Sequence, residues 1–128
     1  MILFDTKIEA LEDMLCQDIF KFYIAVDFDG TLCKNIFPEI GEPNARLIQL
    51  LIHVQEMGHK LILWTCREDE DKRKYLTEAI EWQGLQGLEF DYINENPEWC
   101  KKNGFDPTKC RKIYADIYID DKAFQFKF

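Results

Sequence analysis

A chain of 128 residues is long enough for one core-bearing domain and too short for two of ordinary size. Its 47% hydrophobic content excludes a generally disordered chain. A net charge of -8 disfavours bulk nucleic-acid binding, so a phosphate site in this chain must be built locally from a metal and a few cations.

No apolar run approaches the roughly 20 residues that span a bilayer, and no membrane association is expected. Met1-Ile2-Leu3-Phe4 is apolar but stops at Asp5, with no basic start and no small-residue ending, so no secretory leader is expected. The five cysteines have no framework-like spacing. Without an export signal they read as reduced thiols, which points to a cytoplasmic protein. Cys100, Cys110, His53 and His59 lack the spacing of a zinc site.

Residues 5 to 20 predict an amphipathic helix. Thr6 and Glu9 have capping-box spacing, and Ile8, Leu11, Leu15 and Ile19 fall on one face. That face predicts packing on a sheet, with a dimer contact as the alternative. The first strand is expected over about residues 22 to 27. It runs through Tyr23-Ile24-Ala25-Val26 into Asp27-Phe28-Asp29-Gly30-Thr31-Leu32. Strand alternation sends Asp27 and Asp29 to one side and Phe28 to the other. Gly30 permits a sharp turn.

A short loop is expected from Cys33 to Glu42. Pro43 suits the first turn of a helix with Leu47, Ile48, Leu51 and Val54 inward, and Gly58 suits its end. Lys60-Leu61-Ile62-Leu63-Trp64-Thr65 predicts a strand buried on both faces. A charged helix follows from about Glu68 to Gln83, with Tyr75, Leu76, Ala79, Ile80 and Trp82 as its apolar side and Gly84 as its stop. Phe90 to Ile93 predicts a third strand, and 94–108 is mostly loop. A fourth strand lies within Ile113 to Asp120. The alternating Phe124, Phe126 and Phe128 suggest an edge strand.

This alternation predicts an α/β fold in one domain, residues 1–128, with 1–21 as a helical extension. The simplest sheet puts the first strand centrally, strands two and three on one side and strand four on the other. Ligands in such sheets bind beyond the carboxyl ends of the strands, at the switch point. Four polar signals converge on that rim: Asp27/Asp29, then Thr65 with Cys66 and Arg67, then Lys109, Arg111 and Lys112, then Asp120/Asp121. Like-charged carboxylates brought together require a cation or a proton, and Mg²⁺ takes carboxylate and carbonyl oxygens.

In the order and spacing of those four signals, residues 22 to 122 resemble the haloacid dehalogenase superfamily of phosphohydrolases. Asp27 to Leu32 is similar to its first motif, Thr65 to the second, Lys112 to the third and Asp120-Asp121 to the fourth. The resemblance implies a three-layer, Rossmann-like parallel sheet and a phosphatase that hydrolyses a phosphomonoester through an aspartyl-phosphate. By that analogy Asp27 is the nucleophile and a Mg²⁺ ligand. Asp29 is the acid/base, and its backbone carbonyl is a second ligand. Thr65, with backbone N–H groups near Cys66 and Arg67, binds the phosphoryl oxygens. Lys112 neutralises their charge, a role Lys109 or Arg111 can hold instead. Asp121 completes the metal site with Asp120 in support.

Each feature has a plainer reading. Thr65 alone is a strand-end hydroxyl and Lys112 alone a solvated cation. Cys66 alone is a packed small residue, and Asn94 and Asn96 are turn formers, with substrate contact as the alternative. Arg67 either grips a second substrate phosphate or carboxylate, or pairs with Glu68 or Asp69. The short segments 33–42 and 94–108 leave little room for the cap domain that larger members insert. A capless site suits a bulky phosphorylated substrate, or closure by another subunit of a homo-oligomer. The alternatives are a nucleotide or polynucleotide-end phosphatase, a receiver-like phosphorylatable signalling domain and a non-catalytic Mg²⁺-binding module.

Overall fold

The computed structural model describes residues 5–16, 20–98 and 113–120. Among them are three helices and six strands in the order α1 Asp5–Leu15, β1 Tyr23–Val26, β2 Cys33–Ile36, β3 Glu39–Pro43, α2 Ala45–Glu56, β4 Lys60–Leu63, α3 Tyr75–Leu85, β5 Tyr92–Ile93 and β6 Ile117–Ile119. Four strands form a parallel sheet in the order β5-β4-β1-β6. This is the arrangement expected from the sequence, with the first strand inside and the last alone on its far side. The architecture is α/β and compatible with a Rossmann-like fold.

Strand alternation sorts the sheet's side chains into two cores. Ile24, Val26, Leu61, Leu63 and Ile119 pack with Ile8 and Leu15 of α1, with Leu47, Leu51 and Val54 of α2, and with Ala79 of α3. Ala25 and Ile62 belong to a second, smaller cluster with Ile113. Crossovers that step in one direction, β1 to β4 to β5, put both connecting helices on one face under the right-handed rule. The return to β6 must then cross the other face. Most of that segment, 99–112, lies outside the described residues, so only one helical layer of the expected three-layer arrangement is seen.

Side chains finish the sheet where backbone partners run out. Asp116 accepts from the N–H of Tyr23 at 2.8 Å, and Asp91 accepts from the N–H of Leu61 at 2.8 Å. His59 is buried, with Nδ1 accepting from the N–H of Phe22 at 3.0 Å and Nε2 2.7 Å from the carbonyl of Leu15. Both ring nitrogens are therefore committed to backbone, which removes His59 from any zinc site.

Several boundaries differ from the sequence expectation. α1 starts at Asp5 and ends at Leu15, so Thr6 lies inside it rather than at its cap; Ile19 is outside the described residues. Residues 33–43 are a hairpin, not a loop, with β2 and β3 antiparallel and a bulge between Cys33 and Asn35. A Cβ on Gly41 would lie 2.3 Å from the carbonyl oxygen of Lys34, which explains a glycine there. Pro43 closes β3 instead of opening α2. The cap is Asn44, whose side chain accepts from the N–H of Leu47 at 3.4 Å and donates to the carbonyl of Thr31 at 3.2 Å.

α3 begins seven residues later than expected and runs past Gly84. The residues that actually stop α2 and α3 are Gly58 and Gly87, at φ 103 and 83. Gly84 sits in the exposed last turn of α3, and nothing lies within 4 Å of the position of an added Cβ. Gly84→Ala is therefore expected to raise stability by about 0.5–1 kcal/mol, read as a higher denaturant midpoint with unchanged slope.

Candidate active site

The chain leaves β1 at a point where both neighbouring strands also end. The N–H of Asp27 donates to the carbonyl of Ile119 at 2.9 Å, and the N–H of Trp64 donates to the carbonyl of Val26 at 2.9 Å. Val26 is in register with Leu63 on one side and Ile119 on the other. All three face the helix-side core. Continuing that register sets Trp64, Asp27 and Asp120 side by side in the next row, which belongs to the opposite side of the sheet. Neighbouring strands are about 4.8 Å apart, so the Asp27 and Asp120 carboxylates leave the backbone close together. Both residues are half-buried, and Trp64 beside them is 39% exposed.

Beyond Asp27 the chain tightens. Phe28 turns into the core, edge-on to Trp82 at 5.5 Å between centroids. The N–H groups of Thr31 and Leu32 donate back to the carbonyl of Phe28, and Gly30 takes φ 89. Asp29 and Cys33 form a bridge, so the hairpin springs directly from the acidic turn. Burial pushes the Cys33 thiol above its ordinary value, with the Asp29 carboxylate adding to the effect.

The Asp29 carboxylate is held by an arginine. Its two oxygens accept from Arg67, Oδ2 from Nε at 2.8 Å and Oδ1 from Nη2 at 2.8 Å. Arg67 is only 2% exposed. Its remaining N–H groups also have acceptors. Nη2 donates to the carbonyl of Glu39 at 3.2 Å, and Nη1 donates to the carbonyls of Pro38 and Tyr75 at 3.4 Å each. The guanidinium lies 5.1 Å from the Phe28 ring centroid and 5.0 Å from that of Phe37. Arg67 therefore pairs with neither Glu68 nor Asp69, and in this arrangement it has no donor left for a substrate phosphate. Its role is to join the acidic turn, the hairpin tip and the start of α3.

Thr65 stands one residue past Trp64 at the end of β4. Its N–H donates to Oδ1 of Asn94 at 2.8 Å, and its hydroxyl oxygen accepts from the N–H of Arg67 at 3.1 Å. Accepting that bond leaves the hydroxyl's own hydrogen free of it, as a donor for another acceptor. Asn94 sits at φ 51 and Asn96 accepts from the N–H of Tyr114 at 2.6 Å, so both asparagines serve as structural ties. Cys66 is exposed, not packed.

The outer wall of this region is a second cluster that the sequence did not announce. Arg73 donates to Glu39 on the hairpin at 2.9 Å and to both oxygens of Glu78 on α3 at 2.9 and 3.0 Å. The bonds to Arg73 hold the Glu39 and Glu78 carboxyls below their ordinary value of 4.5. Asp69 accepts from the N–H of Thr77 at 2.9 Å and from its hydroxyl, and these bonds hold its carboxyl low as well. Pro38 marked a turn, but the flanking Cys33–Ile36 and Glu39–Pro43 segments carry few strand formers, so the sequence held only a weak signal for the hairpin. No spacing rule pairs Arg73 with Glu39 across 34 residues.

Lys109, Arg111, Lys112 and Asp121 lie outside the described residues. Among the described residues no group of three or more His, Cys, Asp or Glu side chains is arranged to hold a metal ion. The donors present at the strand ends, the Asp27 and Asp120 carboxylates, are hard oxygen ligands of the type Mg²⁺ takes. Also among the described residues, no helix is long and apolar enough to cross a membrane.

Two outcomes follow from the ion pairs. Arg67→Met strands the Asp29 carboxylate beside an apolar side chain and is expected to cost about 3 kcal/mol or more of unfolding free energy in urea. Glu39 and Glu78 have depressed folded values, so the stability they lend is fully present above their unfolded value and lost as pH falls through the folded ones. The stability gap between wild type and Arg73→Gln should therefore be present at about pH 6 and close on acidification below about pH 4.

Comparison with protein-family models and with curated proteins gives no match. Among solved structures, that of a conserved protein coded by a locus of Bacteroides thetaiotaomicron is similar. It is 41% identical, with a TM-score of 0.66 over 80% of this chain and 78% of that one.

Proposed function

The chain belongs to the same family as that conserved Bacteroides thetaiotaomicron protein, and we propose that it is a Mg²⁺-dependent phosphohydrolase of the haloacid dehalogenase type, acting on phosphomonoesters. The observation that carries this reading is the register of β1 between β4 and β6, which sets Asp27 beside Asp120 with Thr65 at the neighbouring strand end.

The chemistry divides among the chain's own residues. An oxygen of Asp27 attacks phosphorus, forming a carboxyl–phosphate bond as the ester P–O bond breaks. The departing oxygen takes a proton from the Asp29 carboxyl. Asp29 then removes a proton from a water that attacks phosphorus, which frees inorganic phosphate and restores Asp27. The Thr65 hydroxyl donates to a phosphoryl oxygen, and Lys112 balances the charge on the others. The metal would be held by Asp27, the carbonyl of Asp29 and Asp121, with Asp120 in support. When bound, it would neutralise phosphoryl charge and orient the group for in-line attack.

The engagement of both Asp29 oxygens by Arg67 favours one second reading, a receiver-like domain that accepts a phosphoryl group without rapid turnover. Acid-quench experiments with a labelled small phosphodonor separate the two. Steady release of phosphate beyond one equivalent supports the hydrolase, and a stable stoichiometric phosphoprotein supports the receiver.

Hydrolysis of p-nitrophenyl phosphate should require Mg²⁺ and should fall at least about 10³-fold in Asp27→Asn. Retention of activity by that variant would remove Asp27 from the mechanism. The screen extends to nucleoside monophosphates and oligonucleotide ends, because the exposed Trp64 beside Asp27 offers a planar face on which a base can stack.

A further inference from the structure

We propose that Arg67 is the positioning residue for Asp29, and that it ties the setting of that carboxylate to the tip of the β2–β3 hairpin. The inference rests on the reading of Asp29 as the proton-transfer group given above.

Asp29 leaves the sheet on a turn whose next residue, Gly30, is at φ 89. A carboxylate there has freedom to swing unless something holds it. Arg67 holds it side-on, one N–H to each oxygen at 2.8 Å. A carboxylate has about four lone-pair sites, and this grip takes one on each oxygen. It fixes the plane of the group and leaves the outer lone pairs directed along that plane. Proton transfer demands a heavy-atom approach of about 2.6–3.2 Å, so the direction of those lone pairs decides whether Asp29 meets the leaving oxygen.

Arg67 is placed with equal definition. The rings of Phe28 and Phe37 lie 5.1 and 5.0 Å from the guanidinium carbon. The carbonyls of Pro38 and Glu39 at the hairpin tip, and of Tyr75 at the start of α3, take the donors that Asp29 does not. Moving the hairpin tip therefore moves the guanidinium, and with it the carboxylate plane. Lysine, a point charge with no planar fork, cannot reproduce this arrangement.

A residue that serves only the fold lowers activity on every substrate alike. A residue that acts through the proton donor does not, because a poor leaving oxygen needs the proton and a good one scarcely does. The test compares Arg67→Lys, Asp29→Asn and the double variant on glycerol phosphate, an alkyl ester, and on p-nitrophenyl phosphate, with thermal unfolding followed alongside. We expect Arg67→Lys to lose about 10²-fold in kcat on the alkyl ester with KM changed only a few-fold, and to lose less than about 5-fold on the aryl ester. The double variant should be no slower than Asp29→Asn alone, because the two residues act as one unit.

Equal losses on both esters, or additive losses in the double variant, would overturn the inference while Asp27-dependent hydrolysis left the reading of the site intact. Hydrolysis that survives Asp27→Asn, or its absence from the wild-type protein, overturns that reading and the inference with it. If Arg67→Lys does not fold, Phe37→Leu removes one ring from the guanidinium without altering charge. It should show the same bias against the alkyl ester, and an unbiased loss overturns the proposal.

Discussion

A guanidinium can be buried only where its five N–H groups all find acceptors and its charge finds a partner. Arg67 meets both conditions, and three separate parts of the chain are spent on meeting them. The acidic turn supplies the charge through Asp29, the hairpin tip supplies two carbonyls, and Tyr75 supplies the last. None of these segments lies in the parallel sheet. The sheet positions Asp27 and Asp120, and the Arg67 cluster positions what surrounds them. Arg73 repeats the principle at the surface, joining Glu39 to Glu78 where water screens the charges and the individual bonds contribute little.

Much of the architecture was legible because parallel strands announce themselves. Tyr23–Val26 and Leu61–Leu63 are short apolar runs with buried residues on both faces; the first leads to α2 with buried Leu and Ile, the second to α3 with Ala79 buried and Leu76 and Ile80 packed against the core. That alternation, with the switch-point rule, yields the strand order β5-β4-β1-β6. The same reasoning locates the carboxyl ends of the strands and so brings Asp27, Thr65 and Asp120 to one rim. Their closeness is a consequence of register alone. No side-chain interaction needs to be known in advance for it.

What could not be read is long-range and polar. The hairpin at 33–43 was hidden because β2 exposes Lys34, Asn35 and Ile36 in succession and shows no alternation. Its pairing is set instead by close backbone approach at Gly41. The start of α3 was misplaced because Glu68 to Lys74 has the composition of a helix. Its backbone groups and acids are drawn elsewhere: Asp69 bonds Thr77, and the N–H of Glu70 bonds the carbonyl of Arg73. Gly84 looked like a stop because glycine so often is one, yet only a glycine at positive φ performs that task, and Gly87 is the one so placed. Arg67 itself sat beside two acids in sequence, which made a surface pair the natural expectation. Its actual partner is 38 residues away, reached because β1 and β4 end side by side.

The two constraints meet at the first motif. Asp27 and Asp29 are separated by one residue, and strand alternation alone would send both carboxylates to one side. Like charges so placed repel. The chain answers that repulsion with Arg67, whose guanidinium gives one N–H to each oxygen of Asp29, while Asp27 stays in the row with Asp120. Arg67 takes up the charge of Asp29, and the strand register keeps Asp27 beside a second acid, Asp120. A pair of adjacent acids is stable only with a proton or a cation between them. Arg67 thus answers the repulsion within the first motif, and the register makes Asp27 and Asp120 the acids that share the rim beside Trp64.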